Sequence, residues 1–261
     1  MPPATQALAT QFVRDGYYVT DRLFSPDETQ QWKAECRRLL DGETAAALAC
    51  GAPRPKFWQT GVYVGLSVAS PLCRALARDP RLLDALEPVI GPNISFWSDK
   101  IVFKAEEVAD GSPWHQDWPY WEGCHKINAW IALDDATPEN GCLKLVRGSH
   151  RASVAHAANV PAGDGFSNRV EANQIDESLV VTAPVPAGAA VIFHDLTLHA
   201  SHPNTVHRDR WAVSPRTRMP RRMIKNTPSP GLLRWCAAPA EAPVQMDRWL
   251  SSGAHAAGCR K

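Results

Sequence analysis

The sequence predicts a mainly β fold with peripheral helices (α+β), its strands closing into a jelly-roll-like, cupin-like barrel. Three observations carry the prediction: helical periodicity dominates the first third of the chain, short alternating apolar segments follow, and Gly/Pro turns separate those segments. Ser25-Pro26-Asp27-Glu28 offers an N-cap, a first-turn Pro and acidic groups at the positive end of a helix dipole, ahead of the stripe Trp32, Cys36, Leu39, Leu40. A helix over about 26–40 is expected. A second, over 71–86, carries Leu72, Leu76, Leu82, Leu83 and Leu86 and stops before Gly91-Pro92. Ile94, Phe96, Ile101 and Phe103 then fit strands, with further strands expected over 128–133, 179–185, 189–194 and 210–214. Turns fall at Pro138-Glu139-Asn140-Gly141 and Pro186-Ala187-Gly188. Pro215 donates no ladder hydrogen bond, so the strand after Arg210 is expected to end early or to lie at an edge. The polar stretch 151–176 reads as a long loop over the barrel mouth, and the residues after Met219 as a surface-packing tail. The expectation is one domain over 1–261, with helical support to about 92, a barrel to about 218 and the tail beyond.

Charge excludes some partners. Lys+Arg total 28 against 27 Asp+Glu, a formal net charge of +1, so no basic stripe argues for nucleic acid or an anionic membrane. The expected partner is a small molecule, bound by a monomer or homodimer. The 7 Cys contain no Cys-x-x-Cys pair, and no charged segment leads into a long apolar run, which together suggest a cytoplasmic protein.

The chemistry is concentrated in two segments. In an extended strand alternate side chains point the same way, so His115 and Asp117 can converge on one ion while Gln116 faces elsewhere. Two His and one carboxylate are the ligand set of a mononuclear iron site, holding Fe(II) on one side with positions left open. The third ligand must come from a distant strand. His199 is preferred to His194 because Arg210 lies eleven residues beyond it rather than sixteen, and a guanidinium fork suits the distal carboxylate of a 2-oxoacid. The bland alternatives are a hydrogen-bonded His/Asp pair and an Arg that caps a strand. Trp118 and Trp121 come directly after the carboxylate, where a substrate wall would stand; core packing is the competing explanation for each.

With His115-Gln116-Asp117, Asn140-Gly141-Cys142-Leu143, Gly148-Ser149-His150, His199-Ala200-Ser201 and Arg210 in that order, the chain resembles the phytanoyl-CoA dioxygenase-like family of Fe(II)/2-oxoglutarate oxygenases. Arg147, where the family often has Pro, is a departure. The resemblance implies a double-stranded β-helix core. It also implies Fe(II) on His115, Asp117 and His199, with 2-oxoglutarate as cosubstrate, dioxygen as oxidant and Arg210 on the cosubstrate's far carboxylate. By the same resemblance Ser201 assists Arg210, Trp130 lines the cofactor side, and Lys56 matches by rough position a Lys near 2-oxoglutarate. The implied reaction hydroxylates an unactivated C–H of a small organic molecule, with secondary metabolism as the suggested setting, and releases succinate and carbon dioxide. Related halogenases lack the carboxylate that Asp117 supplies, which argues against halogenation. Desaturation, epimerisation or ring closure are alternative outcomes of the same chemistry. A nonenzymatic cupin-like metal binder and a zinc hydrolase with Glu122 as base are alternatives of other classes.

Overall fold

The computed structural model describes residues 3–105, 108–120, 125–157, 168–206 and 208–218. The proposed C-terminal tail, Trp121 and Glu122 lie outside them. Two antiparallel sheets form the body. The strands are β1 (Tyr17–Val19), β2 (Val62–Val64), β3 (Ser95–Lys104), β4 (Ile127–Ala132), β5 (Leu143–Val146), β6 (Val180–Ala183), β7 (Ala190–His194), β8 (His199–Ser201) and β9 (Arg210–Arg218). The major sheet runs β1-β7-β4-β9-β3-β2 and the minor one β6-β5-β8. Two sheets facing each other across a cavity are the jelly roll expected from the sequence.

The helices pack outside that body: α1 (Pro3–Asp15), α2 (Pro26–Ala49), α3 (Phe57–Thr60), α4 (Leu66–Ala69), α5 (Pro71–Leu76) and α6 (Pro80–Ile90). At the start of α2 the Ser25 hydroxyl accepts from Glu28 N–H while the Glu28 carboxylate accepts from Ser25 N–H, a capping box contributing about 1 kcal/mol. The helix runs nine residues past the expected end near Leu40, to Ala49, because the alanines that follow favour helix without extending the apolar stripe. The single helix expected over 71–86 is two. Asp79 caps a new helix with Pro80 at its first position, and the residue before a Pro resists the helical conformation. α6 buries Leu82, Leu86, Val89 and Ile90, and Tyr18 donates its hydroxyl to Ala85 O, tying the helix to β1. Truncating a buried leucine such as Leu86 to Ala would cost about 2–5 kcal/mol. No described helix is long and apolar enough to cross a membrane.

Two expectations fail in informative ways. The N-terminal region is not only helical support, since β1 and β2 supply both edges of the major sheet. Three-residue strands are too short for period-two alternation to register. The strand at Arg210 neither ends at Pro215 nor lies at an edge: it continues to Arg218 between β3 and β4. Its bridges to β4 hold one register at Ile127/Thr217, Asn128/Arg216, Ile131/Val213 and Ala132/Ala212, with a gap opposite Ser214-Pro215. The missing N–H is thus absorbed as a local break within a ladder held on both sides.

The 151–176 stretch is anchored where it is described. Ala157 bridges Arg169, Val170 N–H donates to Trp114 O, and Gln116 Nε2 donates to Ala152 O. Gln116 also receives Val154 N–H and gives its own N–H to His156 Nε2, so the residue between the two candidate ligands fastens this segment to them.

Candidate metal and 2-oxoglutarate site

His115 and His199 exchange backbone hydrogen bonds of 3.1 and 3.0 Å, which brings their imidazoles to 4.1 Å between ring centroids. The His-x-Asp segment pairs with His199 through an isolated bridge, not through the regular strand expected. Asp117 Oδ1 lies 3.9 Å from His115 Nε2, and one ligand atom from each of the three residues falls within 4.8 Å of the others. Nδ1 of His115 faces Pro113 O at 2.8 Å, and Nδ1 of His199 faces Thr197 O at 2.9 Å. Those carbonyls fix the proton on Nδ1 and present both Nε2 lone pairs to the same point.

Burial lowers the pKa of His115 to about 3, with the neighbouring His199 adding to the effect, and lowers that of His199 as well. Both rings are therefore neutral donors. Burial by itself would raise the Asp117 carboxyl, but the Lys100 ammonium, 3.8 Å from Oδ1, holds it well below the usual range. Asp117 Oδ2 is buried with no hydrogen-bond partner. Two neutral imidazoles, one ionised carboxylate and an unsatisfied carboxylate oxygen fit a divalent cation.

A second group, His125, His194 and Asp195, also clusters, but its donors are engaged. Asp195 receives His125 Nδ1 at 2.9 Å and Lys126 N–H at 3.0 Å, and His194 Nδ1 accepts from Leu196 N–H. His194 is thus a structural residue outside the triad.

The triad opens onto a cavity of about 450 Å³, a size suited to a small organic ligand. β9 sends Arg210, Ser214 and Arg216 into it, β3 sends Lys100, Val102 and Lys104, and β4 sends Trp130. Arg210 is buried, with its Cζ 5.3 Å from the Trp130 ring centroid and NH1 donating to Val102 O at 3.3 Å. Its Nε has no partner. Burial lowers its pKa to about 10, against the opposing pull of Asp134. Ser201 lines the same cavity, where its hydroxyl accepts Ser112 N–H at 3.0 Å and meets Ser112 Oγ.

Two expected residues are not brought to the cavity. Lys56 is exposed at the start of α3, and only Gln59 and Thr60 of that helix reach the wall. The cation beside Arg210 is instead Lys104, which donates to Asp110 O and whose pKa burial lowers to about 7. Alternation along β3 could have found it, because Lys100, Val102 and Lys104 share a face. Trp118 turns toward His125, with ring centroids 4.2 Å apart, and Tyr120 lines the cavity in its place. Following directly after Asp117 does not bring Trp118 to the cavity, because Trp118–Tyr120 is a 3₁₀ turn.

Residues 12–212 match the family model for phytanoyl-CoA dioxygenase. The chain belongs to the phytanoyl-CoA dioxygenase family. The triad's donor set suits an iron ion, and the relatives the chain resembles include one described as alpha-ketoglutarate-dependent. A probable alpha-ketoglutarate-dependent hypophosphite dioxygenase of Stutzerimonas stutzeri is 32% identical over 140 residues, 50% of this chain and 47% of the relative. L-proline trans-4-hydroxylase of Streptomyces griseoviridis is 29% identical over 54% of this chain and 61% of its own length. The matched stretches therefore span about half and about three fifths of these two relatives. Among solved structures, the non-heme monooxygenase ThoJ superposes with a TM-score of 0.66 at 25% identity, covering 82% of this chain and 78% of ThoJ. The alpha-ketoglutarate-dependent epimerase SnoN, with a TM-score of 0.63 at 24% identity over 84% of each chain, shares the fold.

Proposed function

We propose that this chain hydroxylates an unactivated C–H bond of a small organic molecule in an Fe(II)- and 2-oxoglutarate-dependent reaction, releasing succinate and carbon dioxide. It does so as a single cytoplasmic domain, monomeric or homodimeric, in secondary metabolism. The observation that carries the reading is the opening of His115, Asp117, His199 and Arg210 onto one cavity. In it His115, Asp117 and His199 hold the metal, and Arg210 takes the far carboxylate of 2-oxoglutarate with Ser201 and Lys104 beside it. Trp130 offers the Arg210 guanidinium a cation–π face, with Cζ 5.3 Å from the ring centroid. Bound together, Fe(II) and 2-oxoglutarate supply an oxidant made from dioxygen and strong enough for aliphatic C–H bonds. The chain's own contribution is orientation and exclusion of water, and no side chain needs to move a proton from carbon. A filled Asp117 position leaves no protein-provided vacancy for a halide. Incubating the purified protein with Fe(II), 2-oxoglutarate, ascorbate and a panel of small metabolites tests the reading. A product heavier by one oxygen atom, formed with one succinate per turnover, is expected; turnover that is indifferent to Fe(II) removal refutes it.

A further inference from the structure

That reaction uses one end of the inward face of the major sheet and leaves the other end without a task. Cross-strand register pairs Lys104 with Arg210, Lys100 with Ser214, and Ser98 with Arg216, so these residues share one face along β3 and β9, with the Val102/Ala212 pair between the first two. Asn128 of β4 stands opposite Arg216 on the other flank, on the same face as the cavity-lining Trp130. The metal triad sits level with the middle rungs. Asp117 Oδ1 is 3.8 Å from Lys100 Nζ, and its charge also acts on Arg216. Six residues of strand separate Arg210 from Arg216, roughly 20 Å at about 3.4 Å per residue. A small diacid engaging Arg210 and the metal therefore leaves the Arg216 end for another ligand.

Three features of that end describe its ligand. Both amide atoms of Asn128 and the Ser214 hydroxyl are buried without hydrogen-bond partners, at 0% and 1% exposure. Each such group costs about 1–3 kcal/mol unless something satisfies it. The cavity wall also carries Lys100, Lys104, Arg210 and Arg216 against Asp110 and Asp117. A ferrous ion and a 2-oxoglutarate dianion cancel one another's formal charge, so the Arg216 guanidinium, on which Asp117 and Asp99 also act, still lines that end after both bind. Cations continue outward beyond Arg216, where Arg218 Cζ and Lys126 Nζ lie 4.1 and 4.9 Å from the Trp97 ring centroid. A purely apolar substrate would leave the Asn128 amide unsatisfied, and a cationic one would be repelled.

We propose that the substrate is a small organic acid whose carboxylate docks between Arg216 and Lys100, with Asn128 Nδ2 and the Ser214 hydroxyl donating the remaining hydrogen bonds. A charge-assisted fork on Arg216 orients the acid, and its carbon skeleton extends back toward the triad. The inference rests on the Fe(II)/2-oxoglutarate reading and names the substrate class for it.

The test uses the anaerobic Fe(II) and 2-oxoglutarate complex, whose weak visible charge-transfer band shifts when the neighbouring site fills. Cyclohexanecarboxylate and cyclopentanecarboxylate are titrated against their carboxamides, which match them in shape but carry no charge. Each acid is expected to bind at least about 10-fold more tightly than its amide. Arg216→Met should bring the two to parity. Should that variant fail to fold, Asn128→Asp, nearly isosteric and negative beside Arg216, is expected to weaken the acid while sparing the amide. Equal affinities for acid and amide, or no binding by either while the band is present, overturn the proposal. Failure of the band to form at all counts instead against the Fe(II)/2-oxoglutarate reading.

Discussion

Replacing Arg210 with Met should stabilise the metal-free protein and cripple its cosubstrate binding at the same time. Burial lowers the Arg210 pKa from 12.5 to about 10. At about 1.4 kcal/mol per tenfold change in proton affinity, the charged form is disfavoured by about 3 kcal/mol in the folded state. One hydrogen bond of 3.3 Å and a Trp130 face at 5.3 Å offset part of this, and Nε is left unmatched. Methionine keeps most of the packing and removes the buried charge, so the apoprotein should gain about 1–3 kcal/mol. For a folded body of this size that is about 2–4 °C in Tm per kcal/mol. The 2-oxoglutarate carboxylate would then enter the same dry site without a counter-charge, a loss of about 3–5 kcal/mol, or more than two orders of magnitude in Kd. Thermal melts in chelator and anaerobic titration of the charge-transfer band read the two effects separately. A variant that melts lower while binding 2-oxoglutarate as before would show Arg210 to be a structural cation and refute the argument.

His199→Ala should abolish stoichiometric iron retention after anaerobic purification, measured by metal analysis, and with it succinate formation; a His194→Ala variant that lost iron equally would displace His199 from the triad. Gly188 has φ +87°, and a Cβ there would overlap the Phe24 carbonyl oxygen that lies over the turn; Gly188→Ala should therefore cost more than about 2 kcal/mol in a urea melt. Burial lowers the His194 pKa from 6.5 to about 4. The unfolded chain then takes up the proton first, so the stability linked to this neutral imidazole is complete above pH 6.5. It falls by up to about 3 kcal/mol as pH drops toward 4. His194→Gln should flatten that part of the Tm-versus-pH curve relative to the wild type, and parallel curves would contradict the assignment.

How much was legible follows from the range of each signal. The capping box at Ser25, the Pro186-Ala187-Gly188 turn and the strands near 128–133 and 189–194 are set by neighbours within a few residues, and all appear close to their expected places. The His-x-Asp segment and His199 could be named because ligand chemistry restricts the residue types that can serve. Lys56, by contrast, was placed by position along the chain, and that position carries no information about which face of which strand looks into the cavity. Trp118 was likewise placed by adjacency to Asp117, and the 3₁₀ turn there sends its ring toward His125 instead of the cavity.

The sequence by itself therefore indicated the longer helices and strands, a candidate ligand set and the family, because each depends on local periodicity or on the identity of a few side chains. Tertiary structure alone decided that Pro215 sits inside a sheet, that Lys104 and not Lys56 stands beside Arg210, and that Lys100, Ser214 and Arg216 share one wall with Asn128 paired opposite Arg216. Those facts depend on the cross-strand register between β3, β9 and β4. Register is fixed when whole faces are buried together, and no single segment encodes it.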